Sequence, residues 1–202
     1  LILAVLVAMI VFVIILQDGE RRIPVQYSKK MVGRKMVGGQ SSHIPLKVNT
    51  AGVIPVIFAS SIMSFPVMIA QFVGGNFTGV GGTILQVLNS SSWFNPQKPA
   101  YSIGMVIYMV LIVLFAYFYT SITFNPLEVA NNMKKQGVFI PGIRPGKPTS
   151  DYLNKILNYI VFIGAVFLIV ISAIPIIVSG LFTIGRVSFL GTSLLFVVSV
   201  FL

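Results

Sequence analysis

The sequence predicts an all-α integral membrane protein with five transmembrane helices, the first and last of them truncated. Three observations carry this. Only 9% of the 202 residues are charged and 56% are hydrophobic, with a mean hydropathy of +0.95; a soluble domain has about 25% charged residues. The apolar runs lack strand-like alternation and far exceed the roughly 10 residues of a barrel strand, so the spans are helices. Lysine and arginine alternate between the connections, with seven in 17–47, one in 74–100, five in 124–155 and one in 180–188. The positive-inside rule puts the first and third connections in the cytoplasm and the other two outside.

Residues 1–16 are apolar throughout and make about 24 Å of helix, short of a roughly 30 Å hydrocarbon core. Residues 189–202 end on Val200, Phe201 and Leu202 with no polar flank. Both ends read as cut within a helix, so the chain reads as a piece of a larger protein.

Residues 17–47 form a basic cytoplasmic loop. It holds Arg21, Arg22, Lys29, Lys30, Arg34, Lys35 and Lys47 against Asp18 and Glu20. The runs 23–27 and 44–48 are β-type and flank a glycine-rich centre. They can pair as a ribbon with a basic tip, with Pro24 and Pro45 confining them to edge positions. The tip repeats itself, Lys30-Met31-Val32-Gly33 and then Lys35-Met36-Val37-Gly38.

Residues 48–73 make the second span, about 39 Å as helix. Pro55 and Pro66 inside it are expected to bend it. Ile57, Ser60, Ser61, Ser64, Met68 and Gln71 share one face by helical spacing, with Asn49 and Thr50 at the cytoplasmic end. Serines on such a face fit close packing and bonding to the i−4 carbonyl. They also fit a face turned to a wet interior.

Residues 74–100 form an external loop rich in glycine and serine, with Lys98 its one charge. Trp93, Phe94 and Tyr101 suit a membrane interface, and Leu85 and Leu88 suit a short surface helix. Residues 101–123 are the third span. The second basic cytoplasmic loop, 124–155, starts at Asn125-Pro126 and includes a short helix over 127–136 that carries Lys134 and Lys135. Its stretch 139–149 is loop by chemistry, with Pro141, Pro145 and Pro148 beside Gly142 and Gly146. It bears Arg144 and Lys147 and no acid. Such a loop is either a docking surface for another macromolecule or a solvated segment whose charge orients the protein. Residues 156–179 are the fourth span, bent at Pro175. Residues 180–188 are a tight external turn with Arg186, and 189–202 begin the fifth span.

Several chemistries are excluded. With no cysteine there is no disulfide or thiolate site, and one histidine cannot supply a cluster of metal ligands. All four acids, Asp18, Glu20, Glu128 and Asp151, lie in the loops, whereas a proton-coupled carrier needs a titratable group within the membrane. His43 reads as a loop histidine with no nucleophile or acid beside it. No hydrolase or nucleotide-binding motif occurs. A membrane channel or docking protein fits better than an enzyme, and no cofactor or metal is expected.

Long motifs then point to one family. Residues 20–27 (ERRIPVQY), 42–49 (SHIPLKVN), 51–55 (AGVIP), 124–126 (FNP), 139–146 (FIPGIRPG) and 191–195 (GTSLL) resemble bacterial SecY, collinearly and over nearly the whole chain. The resemblance implies the second half of a SecY-type inverted-repeat channel, from the sixth transmembrane helix into the tenth, within the central subunit of the Sec translocon. It implies passage of unfolded secretory proteins across the bacterial plasma membrane and lateral release of membrane segments into it. By position, Ile57 and Phe196 match the pore ring, where phenylalanine replaces the usual smaller aliphatic residue. Asn49, Thr50, Ser60 and Ser64 fall on the lateral gate. Arg21, Arg22, Lys29, Lys30, Arg34, Lys35, Lys134, Lys135, Arg144 and Lys147 fall on loops that dock the SecA motor and the ribosome. The implied partners are SecE, SecG, SecA, the ribosome, a preprotein and the phospholipid membrane. The alternative is half of a secondary transporter, which would need a substrate or ion site at the midplane.

Overall fold

The computed structural model describes residues 2–37, 39–48, 52, 54–75, 77–89, 93 and 99–182. Helix α1 (Ile2–Asp18) leads into strands β1 (Glu20–Tyr27), β2 (Lys30–Val32), β3 (Lys35–Val37) and β4 (Ser41–Lys47). Helices α2 (Ile54–Val73), α3 (Val80–Leu88), α4 (Ser102–Thr123) and α5 (Pro126–Lys135) follow, then β5 (Val138–Phe139) and α6 (Lys147–Phe182). Helices α2, α4 and α6 are long and apolar enough to cross a membrane, and α1 is a shorter apolar helix. In hydrocarbon every backbone group must bond within its own segment, which dictates helices there and leaves strands to the ends.

Helix α4 is the centre of the bundle. Its buried residues Gly104, Tyr108, Ile112, Ala116 and Thr120 recur every four positions and form one stripe. Tyr108 and Ile112 pack with Val56, Ala59 and Met63 of α2 and with Leu168 and Ile176 of α6. Ala116 packs with Leu157, Val161 and Ala165 of α6. Helix α1 rests on α6 through Met9, Val13 and Leu16 against Ile171. The buried Thr120 hydroxyl on this stripe bonds back to its own helix, Oγ1 donating to the Ala116 carbonyl at 2.7 Å.

At one end of the bundle sits a small head. The ribbon expected over 23–27 and 44–48 is present and longer, pairing Glu20 with Lys47 through to Gln26 with Ser41. Its tip folds as a separate hairpin of β2 and β3, turning at Gly33 with φ 67°. A positive φ at the first turn residue suits a two-residue hairpin loop. The strand β5 adds to β1 to give the sheet order β4-β1-β5. Ile23, Val25 and Leu46 of the sheet, Val138, and Met133 of α5 close over Leu153, Ile156 and Ile160 of α6. Helix α5 is capped as its sequence suggests: the Asn125 side chain accepts from the Leu127 N–H at 3.2 Å, Pro126 follows, Glu128 lies in the first turn and Lys134 and Lys135 in the last.

Three expectations need correction. Helix α2 starts at Ile54, so Pro55 lies in its first turn, where no helical donor is lost. Only Pro66 is interior to α2. Likewise α6 starts at Lys147, so Lys147, Pro148 and Thr149 are its first turn and not loop. Helix α6 also outruns the span 156–179 at both ends, and its interior proline is Pro175.

At the other end, the single tryptophan ties α3 to the bundle. Trp93 is 2% exposed, donates from Nε1 to the Val87 carbonyl at 2.6 Å, and lies 5.2 Å from the Tyr108 ring. A Cβ on Gly104 would stand 1.9 Å from that same carbonyl and 2.3 Å from Nε1. Gly104→Val should therefore push the indole into water, red-shift its emission and cost about 1–3 kcal/mol of stability. Tryptophan emission and thermal unfolding of the variant check this, and an unshifted spectrum contradicts it.

Candidate functional site

The two basic segments fold as one unit. Gln26 pairs with Phe139 and Tyr27 with Val138, so residues 17–47 and 124–155 share one sheet and one core. Twelve of the fourteen lysines and arginines belong to these segments. Arg21, Arg22, Lys29, Arg34, Lys35, Lys134, Lys135, Arg144 and Lys147 are all exposed, and Lys30 lies on β2. Arg22 Nε reaches Glu20 Oε1 at 2.9 Å, an exposed pair that contributes under about 1 kcal/mol.

Arg144 is mounted on two successive turns. Ile143 N–H donates to the Ile140 carbonyl at 3.1 Å, with Pro141 and Gly142 between them and Gly142 at φ 84°. Proline then a positive-φ glycine is the pairing a type II turn requires. Pro145 and Gly146, the latter at φ 105°, make the second turn. Ile140 is buried in the head core and Ile143 packs against it. Thr149, 2% exposed, donates its hydroxyl to the Arg144 carbonyl at 2.8 Å. The Arg144 backbone is thus held on both sides while its side chain stays in solvent. Among the described residues its guanidinium makes no ion pair, so its five donors face outward to grip a carboxylate or phosphate.

Helix α2 has three faces. Val56, Ala59 and Met63 are buried against α4. Phe58, Ile62, Phe65, Ile69 and Phe72 form an exposed apolar face, with Phe58 stacked on Phe115 at 5.7 Å. Ile57, Ser60, Ser61, Ser64, Met68 and Gln71 make the third, exposed or half-buried. The Ile57 carbonyl accepts from Ser60 Oγ at 2.9 Å and Ser61 Oγ at 2.7 Å. The expected backbone bonding by serine is therefore present, and the face is still left uncovered by this chain. Ile57 is 41% exposed on it. At its far end a cleft of about 650 Å³ opens between α2 and α3, lined by Val67, Ala70, Gln71, Phe77, Leu85 and Gln86 among others. Asn49, Thr50 and Phe196 lie outside the described residues.

Sequence reasoning missed the junction through β5 and the role of Thr149. Two residues of strand give no periodic signal, and a threonine just after a proline reads as loop. Among the described residues no cluster of acids and histidine could hold a metal.

A bundle of long apolar helices under a basic head defines the class: a multi-pass membrane protein with an uncovered polar helix face. The chain matches the SecY family profile over residues 1–202, and it belongs to the SecY family. It is 47% identical over 200 residues to the protein translocase subunit SecY of Streptomyces galbus, covering 98% of this chain and 44% of that one. Against the same subunit from Corynebacterium glutamicum the identity is 43% over 209 residues, covering 98% and 46%. The chain therefore spans less than half the length of these relatives. A solved SecY translocation channel, studied for its plug domain, superposes with a TM-score of 0.61 at 20% identity over 97% of this chain and 46% of that one. A protein-conducting channel gives 0.58 at 20% identity over 96% and 45%. These structures share its fold, and the transporter alternative is set aside.

The Thr149 bond yields a prediction. Thr149→Val removes a buried hydroxyl and strands the Arg144 carbonyl, a loss of about 1 kcal/mol. Amide hydrogen exchange across 143–147 should quicken in Thr149→Val and recover in Thr149→Ser. Equal exchange in all three proteins would mean the turns hold without the hydroxyl.

Proposed function

We propose that this chain is the second half of the channel subunit of the Sec translocon, conducting unfolded proteins across the plasma membrane and releasing apolar segments sideways into it. On this reading the head is cytoplasmic and receives the SecA motor or the ribosome, and SecE, SecG and the other half of the subunit complete the channel. The observation that carries the reading is the fusion of two basic loops into one head on a bundle whose second helix keeps an uncovered polar face. That face of α2 lines the polypeptide path, its phenylalanine face meets lipid, and the boundary between them is the lateral gate, with Ser60 and Ser64 along it. Ile57 contributes to an apolar ring that seals the resting pore by dewetting. No step of this function makes or breaks a covalent bond, so the chain is a conduit and not an enzyme.

Docking rests on Arg144 more than on its basic neighbours. A fixed backbone lowers the entropy cost of binding, and a guanidinium fork cannot be reproduced by lysine. A charge-assisted contact of this kind is worth about 1.5–3 kcal/mol. In the complete channel, Arg144→Glu should cut ATP-driven import of a preprotein into vesicles by about tenfold or more, and Arg144→Lys by less. Lys135→Ala and Lys147→Ala should each cost under about 1 kcal/mol. Normal import by Arg144→Glu at matched channel density would reduce the loop to a segment that only orients the protein.

A further inference from the structure

Strands β1 and β4 expose two backbone edges, and each edge carries a proline where an added strand would bond. The register decides which residues face outward. Val48 N–H donates to the Gly19 carbonyl at 2.8 Å and Tyr27 N–H to the Gln40 carbonyl at 3.4 Å. Odd-numbered residues of β1 therefore bond to β4, because backbone groups alternate in direction along a strand. Even-numbered residues point the other way: Ser28 N–H donates to the Gly137 carbonyl at 2.8 Å, and Gln26 pairs with Phe139. Pro24 stands on that outer edge, just past the point where β5 ends. On β4 the outward groups include those of Ser41, His43 and Pro45. Pro24, His43 and Pro45 are exposed.

Each proline removes an outward N–H and sets a ring in its place, without touching a bond inside the sheet. We propose that Pro24 and Pro45 keep the head from taking up an extended polypeptide as a further strand. The inference rests on reading the chain as part of a channel for unfolded proteins. An unfolded chain arrives with its own backbone groups unpaired, and an open strand edge binds such a backbone regardless of sequence. An edge that did so beside the channel entrance would hold the substrate that it should pass on. The cations Arg22 and Lys47 on the same strands leave the edges soluble, but charge alone would not refuse a backbone.

The test uses the complete channel with Pro45→Thr, Pro24→Thr and both together. Threonine restores the N–H and suits an edge strand, and thermal unfolding confirms that each variant is folded. The probes are two fluorescent peptides of equal length, one rich in valine and threonine, the other with proline at alternate positions. Binding is read by anisotropy, and the contact by photo-cross-linking from a benzophenone side chain placed at Ser41. Pro45→Thr should bind the first peptide about tenfold more tightly than wild type does, cross-link to it, and ignore the second. Pro24→Thr should bind it without cross-linking at Ser41. Equal capture by wild type, or no capture by a folded variant, overturns the proposal. Peptide capture does not depend on transport, so failure of the wild-type channel to import a preprotein would count against the channel reading alone.

Discussion

The structure depends on one burial, that of Leu153 between the sheet and α5. Leu153 is wholly buried, and Ile156 and Ile160 continue the contact one and two turns on. All three belong to α6, whose 36 residues extend about 54 Å against a hydrocarbon core of roughly 30 Å. The excess is the part that carries the head. The same helix then supplies Leu157, Val161, Leu168 and Ile171 to three different bundle contacts. Head and bundle are therefore joined by continuous helix and not by a flexible linker. Arg144 lies three residues before α6 begins, so a load placed on it would act on the start of that helix.

Proline has four distinct uses in this chain, and each follows from its missing donor or its fixed φ. Pro55 and Pro148 open α2 and α6, where no donor is needed. Pro66 and Pro175 interrupt helix interiors, where a freed carbonyl permits a bend. Pro141 and Pro145 pre-set the turns that present Arg144. Pro24 and Pro45 stand on strand edges. The apolar composition of α2 hides a similar division of labour: one helix presents a packed face, an exposed phenylalanine face and an uncovered polar face by angular position alone.

Much of this was legible in the sequence because long-range order here is written in long runs. Spans of twenty apolar residues have few alternatives, and the β-type runs 23–27 and 44–48 about a glycine-rich centre announced the ribbon. The cap of α5 was readable from Asn125-Pro126 and the lysines at its end. The helix starts at Ile54 and Lys147 were misplaced because a proline marks an interior bend, a loop or a first turn alike: Pro55 reads as inside a span from 48, and 147–149 as loop. The union of the two basic loops was invisible, since it rests on a strand of two residues, Val138–Phe139. Arg144 was picked out by its motif, while its anchor Thr149 depends on a fold-back that no local pattern encodes.

The central claim is that α2 separates a wet path from lipid by its angular faces. The chain contains no cysteine, so single cysteines can be placed along α2 of the complete, otherwise cysteine-free channel at Ser60, Ser64 and Gln71, and at Phe58, Phe65 and Phe72. Labelling is measured with a membrane-impermeant thiol reagent during active transport. The account predicts that the first three react at every depth and that the phenylalanine positions stay unlabelled within the hydrocarbon. Equal labelling of both sets, or of neither, would contradict it.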